Sequence, residues 1–200
     1  MRHSVMIFAA AALACSAAVT GQTAPAQQDA GGGIMDKALN TPGANWAVYG
    51  TNQSTKVMSD PSAQIGQFVR ATVTAKGTNA WDIGANSPIQ KPMAAGDTIL
   101  VAIYLRAPDL KDGETMPLPY IGANGAAAPY DGLVNANVTI TNKWRIYYAS
   151  GKAAKDFPGG SMNAAVHLAS DKHVVDLGPV FVLDFGQNYT KKLPDNNTPQ

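Results

Sequence analysis

Residues 65–107 read IGQFVRATVTAKGTNAWDIGANSPIQKPMAAGDTILVAIYLRA, and the spacing of their apolar side chains decides the fold class. Ile65, Val69, Ala71 and Val73 recur at even spacing. Gly77-Thr78-Asn79 breaks the run and Trp81-Asp82 follows. Gly96-Asp97 then launches a second run in which Ile99, Val101, Ile103 and Leu105 share one side. A period of two sends successive side chains to opposite faces, so both runs predict strands with one face on a core and the other partly wet. The wet face is where function is expected.

The same alternation predicts strands at 46–50, 56–59, 64–76, 80–84, 98–107, 117–121, 134–140, 143–149, 161–169, 173–177 and 179–185. In 143–149, Trp144, Ile146 and Tyr148 oppose Arg145, Tyr147 and Ala149, and Trp144 is assigned to the core. In 161–169, Met162, Ala164, Val166 and Leu168 oppose Asn163, Ala165, His167 and Ala169. One apolar face per strand calls for a second layer, which predicts an all-β fold: a two-sheet antiparallel β-sandwich. Long connections between the strands favour a jelly roll over an immunoglobulin-type sandwich, whose Cys…Trp…Cys pattern is absent. The Gly-, Pro- and Ala-rich segment 109–130 reads as a long loop over one sheet edge, interrupted by the short strand at 117–121.

Composition agrees. A chain of 200 residues with 46% hydrophobic and 14% charged residues can bury one core, and 19 Gly with 13 Pro suit a turn-rich β domain. The formal charge of +1 and the scatter of the fifteen Lys and Arg exclude a nucleic-acid partner, which needs cations gathered on one face. Residues 1–26 read as a signal peptide, with Arg2 and His3 before the apolar block Val5–Leu13 and the Ala24-Pro25-Ala26 triplet after it. That block is too short to span a bilayer, so the mature chain is expected to lack a transmembrane segment and to be periplasmic or secreted. Cys15, after Ala12-Leu13-Ala14, is similar to a bacterial lipoprotein box, which leaves a lipid anchor as the alternative. Cleavage of an ordinary signal would remove this one cysteine and all thiol chemistry with it. The predicted organisation is a flexible linker over 27–42, the sandwich over 43–186 and a polar tail over 187–200.

The order of certain features carries a resemblance. Asn45-Trp46 stands near the start, and Gln64 to Arg70 leads a strand. Thr78-Asn79-Ala80-Trp81-Asp82-Ile83 and Pro88-Ile89 follow it. Ala95-Gly96-Asp97-Thr98-Ile99-Leu100 runs into Tyr104-Leu105-Arg106-Ala107, and Thr141-Asn142-Lys143-Trp144 precedes another strand. Over 43–186 this pattern resembles the jelly-roll carbohydrate-binding modules attached to bacterial cellulases and xylanases (families four, nine and twenty-two), within the galactose-binding-like group. The resemblance implies a non-catalytic carbohydrate-binding protein, here expected without an attached enzyme domain, holding a glycan for a partner glycoside hydrolase or an importer. The last strand of that family often carries an Asp-Asn/Asp-Val step beside a structural calcium site. The matching step here is Gly178-Pro179-Val180, so no cofactor is expected, with calcium on the flanking Asp176 and Asp184 left as an alternative.

Sugar rings offer apolar C–H faces fringed by hydroxyls, so a site needs aromatic platforms and planar donors and acceptors. Tyr104 and Arg106 lie on the wet side of the 98–107 strand, with Asn163 and His167 expected on neighbouring strands. Trp81, Asp82 and Tyr120 lie at or beside loops that would rim a cleft. These seven residues form the expected carbohydrate site. The plainer alternatives are Tyr104 with Arg106 as a surface pair, Asp82 as a turn cap and His167 as a structural histidine. Catalysis is disfavoured: Glu114 is the single glutamate, there is no Gly-x-Ser-x-Gly elbow, and His167 and His173 match no metal spacing. A hydrolase or lyase built on Asp pairs, and an envelope sandwich that meets another protein, are the competing readings.

Overall fold

The computed structural model describes residues 33–61 and 66–197. The expected signal peptide, the lipoprotein-like Cys15 and the start of the 64–76 strand lie outside them. After a single 3₁₀ turn, Ile34–Lys37, the chain is built from strands: β1 (Ala47–Tyr49), β2 (Gln53–Asp60), β3 (Gly66–Val73), β4 (Gly84–Ile89), β5 (Thr98–Arg106), β6 (Met116–Gly125), β7 (Gly132–Ile140), β8 (Arg145–Lys152), β9 (Met162–His167) and β10 (His173–Asp184). They form two antiparallel five-stranded sheets, one ordered β1-β4-β9-β6-β7 and the other β2-β3-β10-β5-β8. This is the β-sandwich that the alternation predicts. Among the described residues no helix is long and apolar enough to cross a membrane.

The two alternating runs of that stretch, as far as they are described, form β3 and β5 as expected. Val69, Ala71 and Val73 of β3 and Ile99, Val101, Ile103 and Leu105 of β5 are buried, all within one apolar core. From the facing sheet come Ala85 and Ile89 of β4, Leu118, Ile121 and Ala123 of β6, and Met162, Ala164 and Val166 of β9. The interior is therefore the interdigitated inner faces of the two sheets.

Four expectations need correction. The strand expected at 80–84 begins only at Gly84, because residues 79–83 form a turn. The expected edge loop over 109–130 contains β6, which is flanked on both sides by β9 and β7. Pro117 and Pro119 disguise this strand, since proline supplies no ladder donor; the register shift between Leu118 and Ile121 accommodates them. The expected linker over 27–42 ends in ordered structure. Beyond Leu177, β10 has no β3 partner, and residues 38–43 take that place through the bridges Ala38↔Leu183 and Gly43↔Val180. There the buried Asn40 donates from Nδ2 to the Val180 carbonyl at 3.0 Å and accepts the Val182 N–H on Oδ1 at 2.8 Å.

Trp144 is not a core residue. It precedes β8 and packs half-buried on the outer face of the second sheet, edge-on to Phe68 with centroids 5.2 Å apart, while Tyr147 and Ala149 take the inner positions. Trp46 is buried as expected, and its indole N–H donates to the Gly178 carbonyl at 2.7 Å.

Candidate functional site

The outer face of the sheet β1-β4-β9-β6-β7 carries the candidate site. Antiparallel register sets its side chains in rows across the strands. The first row is Tyr49, Gly84 and His167, with Tyr120 of β6 stacked on the histidine. The second is Ala47, Asn86, Ala165, Gly122 and Asn135. The third is Pro88, Asn163, Asn124 and Gly132. Glycine and alanine thus hold the middle of the sheet while rings and amides stand around them. The result is a trough of about 560 Å3 lined by Tyr49, Trp81, Asn86, Asn124, Gly125, Ala126, Pro129, Tyr130 and His167.

Three rings rise into solvent here: Tyr49, Trp81 and Tyr130 are 38%, 59% and 61% exposed. Exposed aromatics gathered at one concavity argue for a binding role, since a monomer gains nothing by leaving them wet. Each is held by its local structure. Asp82 accepts the Asn79 backbone N–H at 2.8 Å, and the Asp82 N–H returns to the Asn79 carbonyl at 3.1 Å, a turn that presents Trp81 outward. The Tyr49 ring lies over Gly84: a Cβ built on that glycine would stand 2.5 Å from the phenol oxygen. Tyr130 has φ +58° at the tip of the β6–β7 loop, its N–H bonded to the Ala127 carbonyl at 2.9 Å.

His167 packs against Tyr120 with centroids 4.2 Å apart and planes inclined by 16°, and edge-on to Trp81 at 6.2 Å. Burial lowers the His167 pKa, so the imidazole is neutral at pH 7. Burial first, then the nearby Tyr49, pushes the Tyr120 phenol up to about 12, and its hydroxyl donates to the Ala123 carbonyl at 3.2 Å. Burial, Tyr130 and Asp82 likewise raise the Tyr49 pKa. The lining residues therefore present uncharged rings, amides and an imidazole at neutral pH.

Of the seven residues expected from the sequence, Trp81, Tyr120, Asn163 and His167 come together on this face. Asp82 stands beside them as the turn cap, its carboxyl held low by the Asn79 backbone N–H first of all. Tyr104 and Arg106 do not join them. Both lie on β5 in the other sheet, where Arg106 is spent on an ion-pair cluster: its Nε donates to Asp176 at 2.7 Å, its Nη1 to Asp60 at 3.2 Å, and its guanidinium lies 4.6 Å from the Trp144 ring centre. Alternation tells the two faces of one strand apart but not which sheet the strand joins. Tyr49, Asn86, Asn124 and Tyr130 are the aromatic and amide lining residues that the sequence does not single out. Asn86 and Asn124 alternate with the buried Ala85 and Ala123, a signal available in the sequence; Tyr130 lay in the segment read as an edge loop.

The donors proposed for calcium do not fit the ion. Asp176 is fully buried and binds Arg70 through Oδ1 and Oδ2, at 2.7 and 2.9 Å, and Arg106 through Oδ2. Two guanidiniums around that carboxylate oppose a cation. Asp184 lies eight residues along the same strand, roughly 26 Å away at about 3.3 Å per residue. Among the described residues no cluster of three His, Cys, Asp or Glu could hold a metal.

No protein-family model matches the chain, and no curated protein does. Solved structures do. A carbohydrate-binding module of family four superposes with a TM-score of 0.52 at 15% identity, covering 70% of this chain and 94% of that one. The N-terminal cellulose-binding domain of Cellulomonas fimi β-1,4-glucanase C gives 0.51 at 15% identity, covering 70% and 88%. The second N-terminal cellulose-binding domain of the same enzyme gives 0.51 at 16%, covering 74% and 94%. The chain shares their jelly-roll fold. That fold accounts for the two five-stranded sheets.

Proposed function

We propose that this protein binds carbohydrate without catalysis, holding a glycan chain in the trough across β1, β4, β9 and β6. The observation that carries the reading is the ring of solvent-exposed Tyr49, Trp81 and Tyr130 around a floor of Gly84, Ala165 and Gly122, with Asn86 and Asn124 among the lining residues. Ring faces take the C–H faces of pyranoses, and amides pair with hydroxyls in a plane. Asn124 Oδ1 has no hydrogen-bond partner among the described residues, and this reading assigns it to a sugar hydroxyl after a rotation of the amide. The jelly-roll neighbours, two of them cellulose-binding domains, support the same class of ligand. The non-catalytic part is supported by the lining itself, which brings no pair of carboxyls to the trough. Export is proposed from the Arg2–Leu13 pattern, and a partner hydrolase from the resemblance.

Affinity gel electrophoresis against soluble β-glucans and xylans tests the reading. The wild type is retarded, Trp81→Ala and Tyr130→Ala are not, and Tyr104→Ala on the other sheet behaves as wild type. Retardation by none of these polysaccharides, or equal retardation of all four proteins, overturns it.

A further inference from the structure

A second cavity of about 470 Å3 opens beside the trough and shares Gly125, Ala126 and Pro129 with it. The trough crosses strands, whereas this cavity lies beyond the strand ends, between the β6–β7 loop and the loop leading into β9. Its lining includes Ala127, Pro129, Asp131, Lys155, Phe157 and Ser161. The two loops are clasped: the Ala126 N–H donates to the Ser161 carbonyl at 2.8 Å, and Lys155 Nζ meets Asp131 at 2.6 Å. Lys155 also lies 5.6 Å from the Phe157 ring centre.

We propose that this cavity takes a neutral sugar branching from the glycan chain held in the trough. The inference rests on the carbohydrate reading of the trough and adds a branch site to it. The geometry favours a branch over a longer main chain, because the second cavity lies between two clasped loops instead of continuing the open sheet face that floors the trough. Phe157 and Pro129 give an apolar wall, and the exposed Asp131–Lys155 pair offers acceptors and donors at its mouth. Asp131 and Asp156 against Lys155 leave the lining net negative, which selects against a uronate and for an uncharged pentose or hexose.

Titration calorimetry with paired oligosaccharides of equal main-chain length tests this: cellohexaose against a xylosyl-branched glucan oligosaccharide, and xylohexaose against an arabinosyl-branched one. The branched partner of at least one pair should bind about fivefold or more tighter, about 1 kcal/mol. Pro158→Trp, an exposed position that lines the second cavity and not the trough, should bring that ratio to unity with linear binding unchanged. Lys155→Ala, on an exposed side chain, should lower the ratio in part. Equal binding of linear and branched chains by the wild type, or a ratio unmoved by Pro158→Trp, overturns the branch site while leaving the trough reading in place. Absence of binding to every oligosaccharide overturns both.

Discussion

Asp176 lies at the centre of the outer face of the second sheet with Arg106 against one side of its carboxylate, at 2.7 Å, and Arg70 against the other. The cluster takes groups from four strands of that sheet and from the residue that precedes the fifth: Asp60 of β2, Phe68 and Arg70 of β3, Asp176 of β10, Arg106 of β5 and, just before β8, Trp144, whose indole N–H donates to Asp60 at 3.3 Å. Its charges sum to zero. Phe68 and Trp144 shield the guanidiniums, which strengthens each contact and raises the cost of breaking one.

Asp176→Ala is therefore expected to destabilise the protein by about 3 kcal/mol, the low end for a broken buried ion pair because both arginines keep some solvent. Urea unfolding followed by Trp fluorescence measures this. Glycan retention by the folded variant should match the wild type, since the cluster and the trough lie on different sheets. A loss of less than about 1 kcal/mol would reduce the cluster to an ordinary surface network.

Gly84→Ala should do the reverse, weakening binding with little effect on stability. Its Cβ would meet the far end of the Tyr49 side chain, with the phenol oxygen at 2.5 Å and Cζ at 2.7 Å, and a side chain at a sheet edge can swing away. The lifted ring is lost as a platform. A tenfold weaker Kd for glycan, about 1.4 kcal/mol, is expected beside an unfolding free energy within about 1 kcal/mol of wild type.

These two sites show what was legible in the sequence. A strict period of two in β3 and β5 required a buried face, and those inner residues are the core. Inward and outward positions are local properties, but the pairing of β5 with β10 and β8, and of β9 with β4 and β6, is settled by residues far apart in the chain. Tyr104 and Arg106 thus had the chemistry of a sugar site on the wrong sheet. The prolines and glycines of β6 hid a central strand, and with it Asn124 and the loop that presents Tyr130. Trp144 misled for a related reason: the outer face of the second sheet has apolar packing of its own, so hydrophobic character did not mark the interior there.

Asn40→Ala tests whether the segment before β1 completes the second sheet. The Asn40 amide makes two hydrogen bonds to β10 in a buried setting, and alanine would strand the Val182 N–H and the Val180 carbonyl. A cost of about 2 kcal/mol is expected, and hydrogen exchange should show accelerated loss of protection at Val182 and Leu39, whose N–H donates to the Val182 carbonyl at 2.8 Å.

Stability should depend on pH through the two histidines. Burial places the folded-state pKa values of His167 and His173 below the ordinary value of 6.5. The unfolded chain then binds protons that the folded chain refuses, so this part of the stability is complete above pH 6.5 and is lost as pH falls through the folded pKa values. Asp184 acts with the opposite sign. Burial first, then Asp97, raises its carboxyl above 3.8, so its contribution is complete below that value and declines as pH rises through the raised pKa. Calorimetric Tm values taken from pH 7.5 downward should fall as the histidines protonate, and the fall should be smaller in His167→Gln. Asp184→Asn should remove the opposing contribution, which declines as pH rises above 3.8 through the raised carboxyl pKa. A Tm that rises between pH 7 and 5 in the wild type would show that the imidazoles are not held neutral by burial.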